Sequence, residues 1–185
     1  MGDKGNMESI HALWTVAAIA AVGIMSPGPD FLAVSYAAIT GLRRDAVAVA
    51  GGVVLGNGIW AGAALLGVGA LFALFPSLFL AIKLSGAAYI AWLGIQLLRS
   101  ARTPLPERTA ADPSMSLGTS FAKGLSTTMA NPKAALYYAS ALSSAAPENA
   151  SMLLLGWMLT AVVAVAIVWF SLVVFVLSTP RAGSA

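Results

Sequence analysis

Ser26-Pro27-Gly28-Pro29-Asp30 stands between two almost wholly apolar runs, Trp14 to Met25 and Phe31 to Ile39. A prolyl nitrogen carries no hydrogen and its ring collides with the preceding turn, so each proline strips a donor from a helix, and glycine loosens the backbone further. In lipid the carbonyls freed in this way have no water to turn to. A broken helix at membrane depth is therefore tolerated only where it faces protein or a wet cavity. An ionised Asp at the centre of a bilayer also costs about 2.5–3.5 kcal/mol on insertion scales. The stretch reads as a functional site inside a membrane protein. The plainer alternative is an interfacial turn between a signal-like segment and a second helix.

Composition agrees on the class. The 185 residues are 59% hydrophobic and 9% charged, with a mean hydropathy of +0.86, far from a soluble domain. The expected fold is all-α, a polytopic helical membrane protein whose surroundings are the lipid bilayer. A net charge of +3 does not point to nucleic acid, because the ten Lys and Arg are scattered over short loops and form no stripe. With no cysteine and a single histidine, His11, disulfides and thiolate or imidazole metal sites are excluded. A membrane-embedded hydrolase would need a base beside Ser26 or Ser35, and the sequence offers none. The chain is expected to be no enzyme and to need no metal or cofactor. Lys4 ahead of an apolar run has the look of a signal peptide, but the small-residue candidate around Ala17 to Ala21 leads straight into more membrane-like sequence.

Outward from the break, Ile10 to Ile39 makes a first span longer than the roughly 20 residues a straight helix needs, which fits a tilted, interrupted crossing. Gly41-Leu42-Arg43-Arg44-Asp45 is a tight charged loop. Ala46 to Phe75 is a second span in which Gly52 and Gly56, and again Gly58 and Gly62, are spaced to let another backbone come close. Asn57 is the only amide within it. A third span covers Leu78 to Leu98, with Lys83 near enough to its start to snorkel. Residues 99–117, with three prolines and several charges, form a solvated linker. A fourth span, Gly118 to Ala145, is broken by Asn131-Pro132-Lys133, and an uncharged fifth runs from Met152 to Leu177. Basic residues collect in cytoplasmic loops. Arg43 and Arg44, the linker arginines and Arg181 then share the inner side, giving five crossings with the N-terminus outside.

The two breaks align: Gly28-Pro29-Asp30-Phe31 over Asn131-Pro132-Lys133-Ala134, on spans expected to run in opposite directions. Paired broken helices at corresponding places are the best sequence pointer to a transporter's binding site. The chain then divides into a first repeat, 1–98, a cytoplasmic linker, 99–117, and a second repeat, 118–180, with one span fewer. Pro27, Gly28, Pro29, Asp30, Asn57, Asn131, Pro132 and Lys133 are the candidate binding or coupling residues. Asp30 and Lys133 could neutralise each other across the pseudo-two-fold axis, or each could meet one end of a zwitterion. Asn57 and Asn131 could read a substrate hydroxyl or bond a neighbouring helix. Pro132 could also be a simple kink with Lys133 snorkelling beside it.

Met25 to Phe31, the Gly-Leu-Arg-Arg loop, Gly86-Ala87-Ala88-Tyr89 with Trp92-Leu93-Gly94, and Ala130 to Ala134 together resemble the LysE-type amino-acid exporters of bacterial inner membranes. Trp60-Ala61-Gly62, the spacing of Phe121 to Gly124-Leu125, and Pro147-Glu148-Asn149 resemble the homoserine/threonine efflux branch. The resemblance, covering about Ala12 to Pro180, implies a multi-pass inner-membrane protein that exports small amino acids, driven by proton influx. Family members usually continue through a basic stretch into a sixth span. The resemblance therefore implies an incomplete second repeat here, whose open wall a homo-oligomer could close, and the alternative expectation is a truncated, non-transporting remnant.

Overall fold

The computed structural model describes residues 2–67, 116–142, 145–147 and 150–178, with single positions between 74 and 95. Apart from those positions the expected third span, Lys83 with it, lies outside the described residues, as do 99–115 of the linker and Arg181. The regular structure described is helical throughout: α1 (Gly2–Met25), α2 (Pro29–Thr40), α3 (Arg43–Leu65), α4 (Leu117–Met129), α5 (Pro132–Tyr137), a wider π-helical turn (Tyr138–Leu142) and α6 (Met152–Leu177).

Each boundary follows from local chemistry. Pro27 and Gly28 end α1, but Pro29 does not belong to the gap: it occupies the first turn of α2, where its missing N–H would be unbonded in any case. The break is thus shorter than Ser26 to Asp30, and Asp30 sits in the first turn, where a carboxylate meets the positive end of the helix dipole. The second break repeats the pattern. Ala130 and Asn131 interrupt the chain, the Asn131 side chain caps the Lys133 N–H at 3.1 Å, and Pro132 opens α5.

Two helices, α3 and α6, are long and apolar enough to cross a membrane, and α1 with α2, bent by 60° at the break, makes a third if counted as one span. The described residues of the fourth expected span form mainly three shorter pieces, α4, α5 and the π-helical turn. No piece is long enough to cross alone, because Asn131-Pro132 and the π turn each interrupt the regular ladder.

Helix α3 is the centre of the assembly. On one side α4 lies parallel to it, backbone against backbone. A Cβ on Gly52 would fall on the Phe121 carbonyl and 2.6 Å from the Leu125 nitrogen, and one on Gly124 would fall on the Val49 carbonyl. Gly56 faces Thr128 in the same seam, 2.6 Å from its Cβ by the same construction. On the other side α6 runs antiparallel: Gly58 faces Val163, Gly62 faces Leu159, and Arg43 at the start of α3 stacks its guanidinium over Phe175 near the end of α6, 5.5 Å from the ring centre. The two glycine pairs therefore serve two different neighbours. Val53, Ala61, Val162, Met158, Phe170 and Val16 fill the interior, while Trp14, Val22, Leu153, Val168 and Phe175 point outward. Large apolar side chains on the outer surface are what lipid requires and water penalises.

Candidate functional site

The two breaks meet. Asp30, in the first turn of α2, accepts a hydrogen bond from Asn131 Nδ2 at 3.1 Å on one carboxylate oxygen and from Asn57 Nδ2 at 3.3 Å on the other. Asn57 is held in turn: its Nδ2 also donates to Val53 O at 2.9 Å, and its carbonyl oxygen accepts from the Tyr138 hydroxyl at 2.8 Å. Asn57, Asn131 and Tyr138 are all buried. A carboxylate half-buried among apolar helices thus has a donor on each oxygen, which is what its presence there demands.

Lys133 occupies in α5 the place that Asp30 occupies in α2, but a cation at a helix N-terminus opposes the dipole. Its side chain leaves that end and crosses to the other break, where Nζ donates to Ser26 O at 2.7 Å and to Pro27 O at 3.4 Å. Those carbonyls stand at the C-terminal, negative end of α1. No ion pair joins Asp30 to Lys133. Among the described residues the ion pair present is Arg44 with Asp45, 3.8 Å apart at the start of α3. The two charges line one cavity and act on each other without direct contact, Asp30 accepting from Asn131 and Asn57 while Lys133 donates to the carbonyls of the first break.

Pro132 removes the donor that would have reached Thr128 O four residues back. That carbonyl accepts from the indole N–H of Trp60 at 3.1 Å and from the Asn131 N–H at 3.1 Å, so the proline's deficit is filled by α3. Tyr137 closes the far side. Its hydroxyl donates to Ile19 O at 2.5 Å, and its ring lies where a Cβ on Gly23 would be. Gly23 is thus a place of close approach between α1 and the segment after the second break.

A small cavity lies between these groups, lined by Gly28, Asp30, Asn57, Asn131, Lys133 and Tyr138 among others. The space open to the centre of a water molecule is about 20 Å³, room for one or two waters.

Of the residues singled out in the sequence, Gly28, Asp30, Asn57, Asn131 and Lys133 line this cavity, while Pro27 contributes its carbonyl and Pro29 and Pro132 shape the backbone. Trp60, Tyr137 and Tyr138 were not singled out as site residues. Their signals were present: Trp60 lies one turn beyond Asn57 on the same helix, and two adjacent tyrosines follow the second break in an otherwise apolar segment.

Apolar helices of spanning length around a half-buried carboxylate, two amides and a lysine define a helical membrane protein with an internal polar site. Residues 21–184 match the LysE type translocator family, and the chain belongs to that family. It is 33% identical over 171 residues to a threonine efflux protein of Salmonella typhi, covering 91% of this chain and 82% of the relative. A threonine efflux protein of Escherichia coli K12 is 34% identical over 173 residues, covering 90% of this chain and 82% of the relative. Similarity also extends to the chemotactic transduction protein ChpE of Pseudomonas aeruginosa, 34% identical over 121 residues, or 65% of this chain and 58% of that one. No solved structure matches the chain.

Proposed function

We propose that this chain exports small amino acids of the threonine and homoserine kind across the bacterial inner membrane, binding them between the two broken helices. The observation that carries the reading is the convergence of both breaks on one polar cavity, in which an anion, a cation and two amides face the same space. A zwitterion with a hydroxyl needs those three kinds of partner. The threonine efflux proteins among the relatives support the substrate class. Proton influx is coupled through Asp30 in this reading. An ionised carboxylate only accepts hydrogen bonds, and both of its oxygens face amide donors. Protonation would remove the charge to which both amides donate and weaken those bonds, which loosens the hold of Asn131 and Asn57 on the first break. The test is export of threonine and homoserine from loaded cells at matched membrane levels of the chain. Faster efflux than from cells without it is expected, and equal efflux would overturn the proposal.

The same reading takes 1–98 and 118–180 as two repeats in inverted orientation joined by the 99–117 linker. Support comes from the shared order of capping residue, proline and charged residue at both breaks, and from the opposed directions of α2 and α4, in which Asp30 faces Asn131 while Tyr36 faces Lys123. Five crossings follow, with the arginine loops inside. The antiparallel stacking of Arg43 on Phe175 supports placing the start of α3 and the end of α6 on one side. The chain has no cysteine, so single cysteines at Thr109 and Glu148 can be probed on intact cells with an impermeant thiol reagent. The Glu148 site should be labelled and the Thr109 site protected; the reverse pattern would invert the topology.

A further inference from the structure

The Lys133 ammonium does what a substrate's ammonium would be expected to do. It sits on two backbone carbonyls, Ser26 O and Pro27 O, at the negative end of α1, and it draws the second break against the first. Carbonyls exposed by a helix break are a natural ammonium site, as charge-assisted bonds to them are short and strong. A Cβ on Gly28 would lie 3.4 Å from Lys133 Nζ and 3.5 Å from its Cδ, so the lysine lies along the bare face of that glycine.

We propose that Lys133 is a latch occupying the substrate's own ammonium site: the α-ammonium of a zwitterionic amino acid displaces Nζ from the Ser26 and Pro27 carbonyls, and the displaced Nζ pairs with the α-carboxylate. The exchange conserves charge-assisted contacts. One cation on the carbonyls is replaced by another, and the released lysine gains the anion that arrived with it. Because the latch also joins the two breaks, its displacement releases one break from the other. This inference rests on the exporter reading above and adds to it a placement of each end of the substrate, together with an internal competitor.

An internal competitor raises the apparent Kd by the reciprocal of the fraction of time it leaves the site free, about tenfold at 90% occupancy, so removing it tightens binding of any ligand that uses only the ammonium site. Two variants of the full chain remove it by different means. Lys133→Gln deletes the charge but keeps most of the length, and Lys133→Ala deletes the side chain beyond Cβ. Binding to purified protein is measured by titration calorimetry with threonine methyl ester, which keeps the ammonium and lacks the carboxylate, and with N-acetylthreonine, which has the reverse. Both variants should bind the methyl ester about tenfold more tightly than the unchanged chain, and neither should gain for N-acetylthreonine. A chain that exports threonine while both variants bind the methyl ester no better, or less well, would overturn the latch alone. A chain that neither binds nor exports any small amino acid removes the exporter reading, and the latch with it.

Discussion

Asparagine in place of Asp30 is expected to lower threonine export roughly a hundredfold while the chain still inserts in the membrane. The carboxylate accepts from Asn131 on one oxygen and from Asn57 on the other. Asparagine keeps one acceptor and replaces the second with an NH2 group, which must face an amide donor. One charge-assisted bond, worth about 1.5–3 kcal/mol, is lost, and a buried donor is left without a partner. A loss of about 3 kcal/mol in the transport-competent arrangement corresponds to roughly two decades in rate. Insertion should survive, since a neutral side chain at that depth is easier to bury than an ion. Efflux from loaded cells at matched membrane levels measures the effect. Retention of half the export would exclude the carboxylate from the transport cycle.

Alanine at Gly52 or Gly124 should destabilise the fold more than any other single methyl group added to a described glycine of α3 or α4. At both positions the new carbon would fall on a backbone carbonyl of the facing helix, Phe121 for Gly52 and Val49 for Gly124, and a backbone cannot rotate out of the way as a side chain can. The helices must separate along the whole seam, at a cost of about 3 kcal/mol, the upper end for overpacking. The internal controls are Gly62→Ala, whose nearest neighbour would be an ordinary contact at 3.9 Å, and Gly156→Ala, which meets nothing within 4 Å. Heating followed by size-exclusion of the fluorescently tagged chain should show Gly52→Ala and Gly124→Ala losing the monodisperse peak well below the two controls. Equal melting of all four would mean that α3 and α4 are not in backbone contact.

The positions of both breaks were legible because proline's defect is local: Pro27, Pro29 and Pro132 lack an N–H whatever surrounds them. The close-approach glycines were legible in kind, since their spacing shows a bare helix face. Which helix each pair serves was not, because Gly52 and Gly58 differ only in the direction they point around α3. The charges are legible in part: opposite signs at matching places point to Asp30 and Lys133 sharing one site, and both line the cavity, but the lysine's bonds to Ser26 O and Pro27 O cannot be foreseen. Backbone carbonyls are the same for every residue type, so their use as partners leaves no mark in a sequence. The π-helical turn at Tyr138–Leu142 is similarly silent, for an extra residue in a helical turn is fixed by what the flanking side chains must reach.

Asn57 and Trp60 lie three residues apart on α3, nearly above one another, and each is bonded to a different break: Asn57 to the Asp30 turn, Trp60 to the Thr128 carbonyl that Pro132 leaves free. One helix thus holds both breaks. In the exporter proposed above, a rotation of α3 would be felt at both breaks together, so the two faces of the site would share one degree of freedom. A carrier working in that way would have little means of opening to both compartments at the same moment, and its geometry would suppress a transmembrane leak before any ligand is considered.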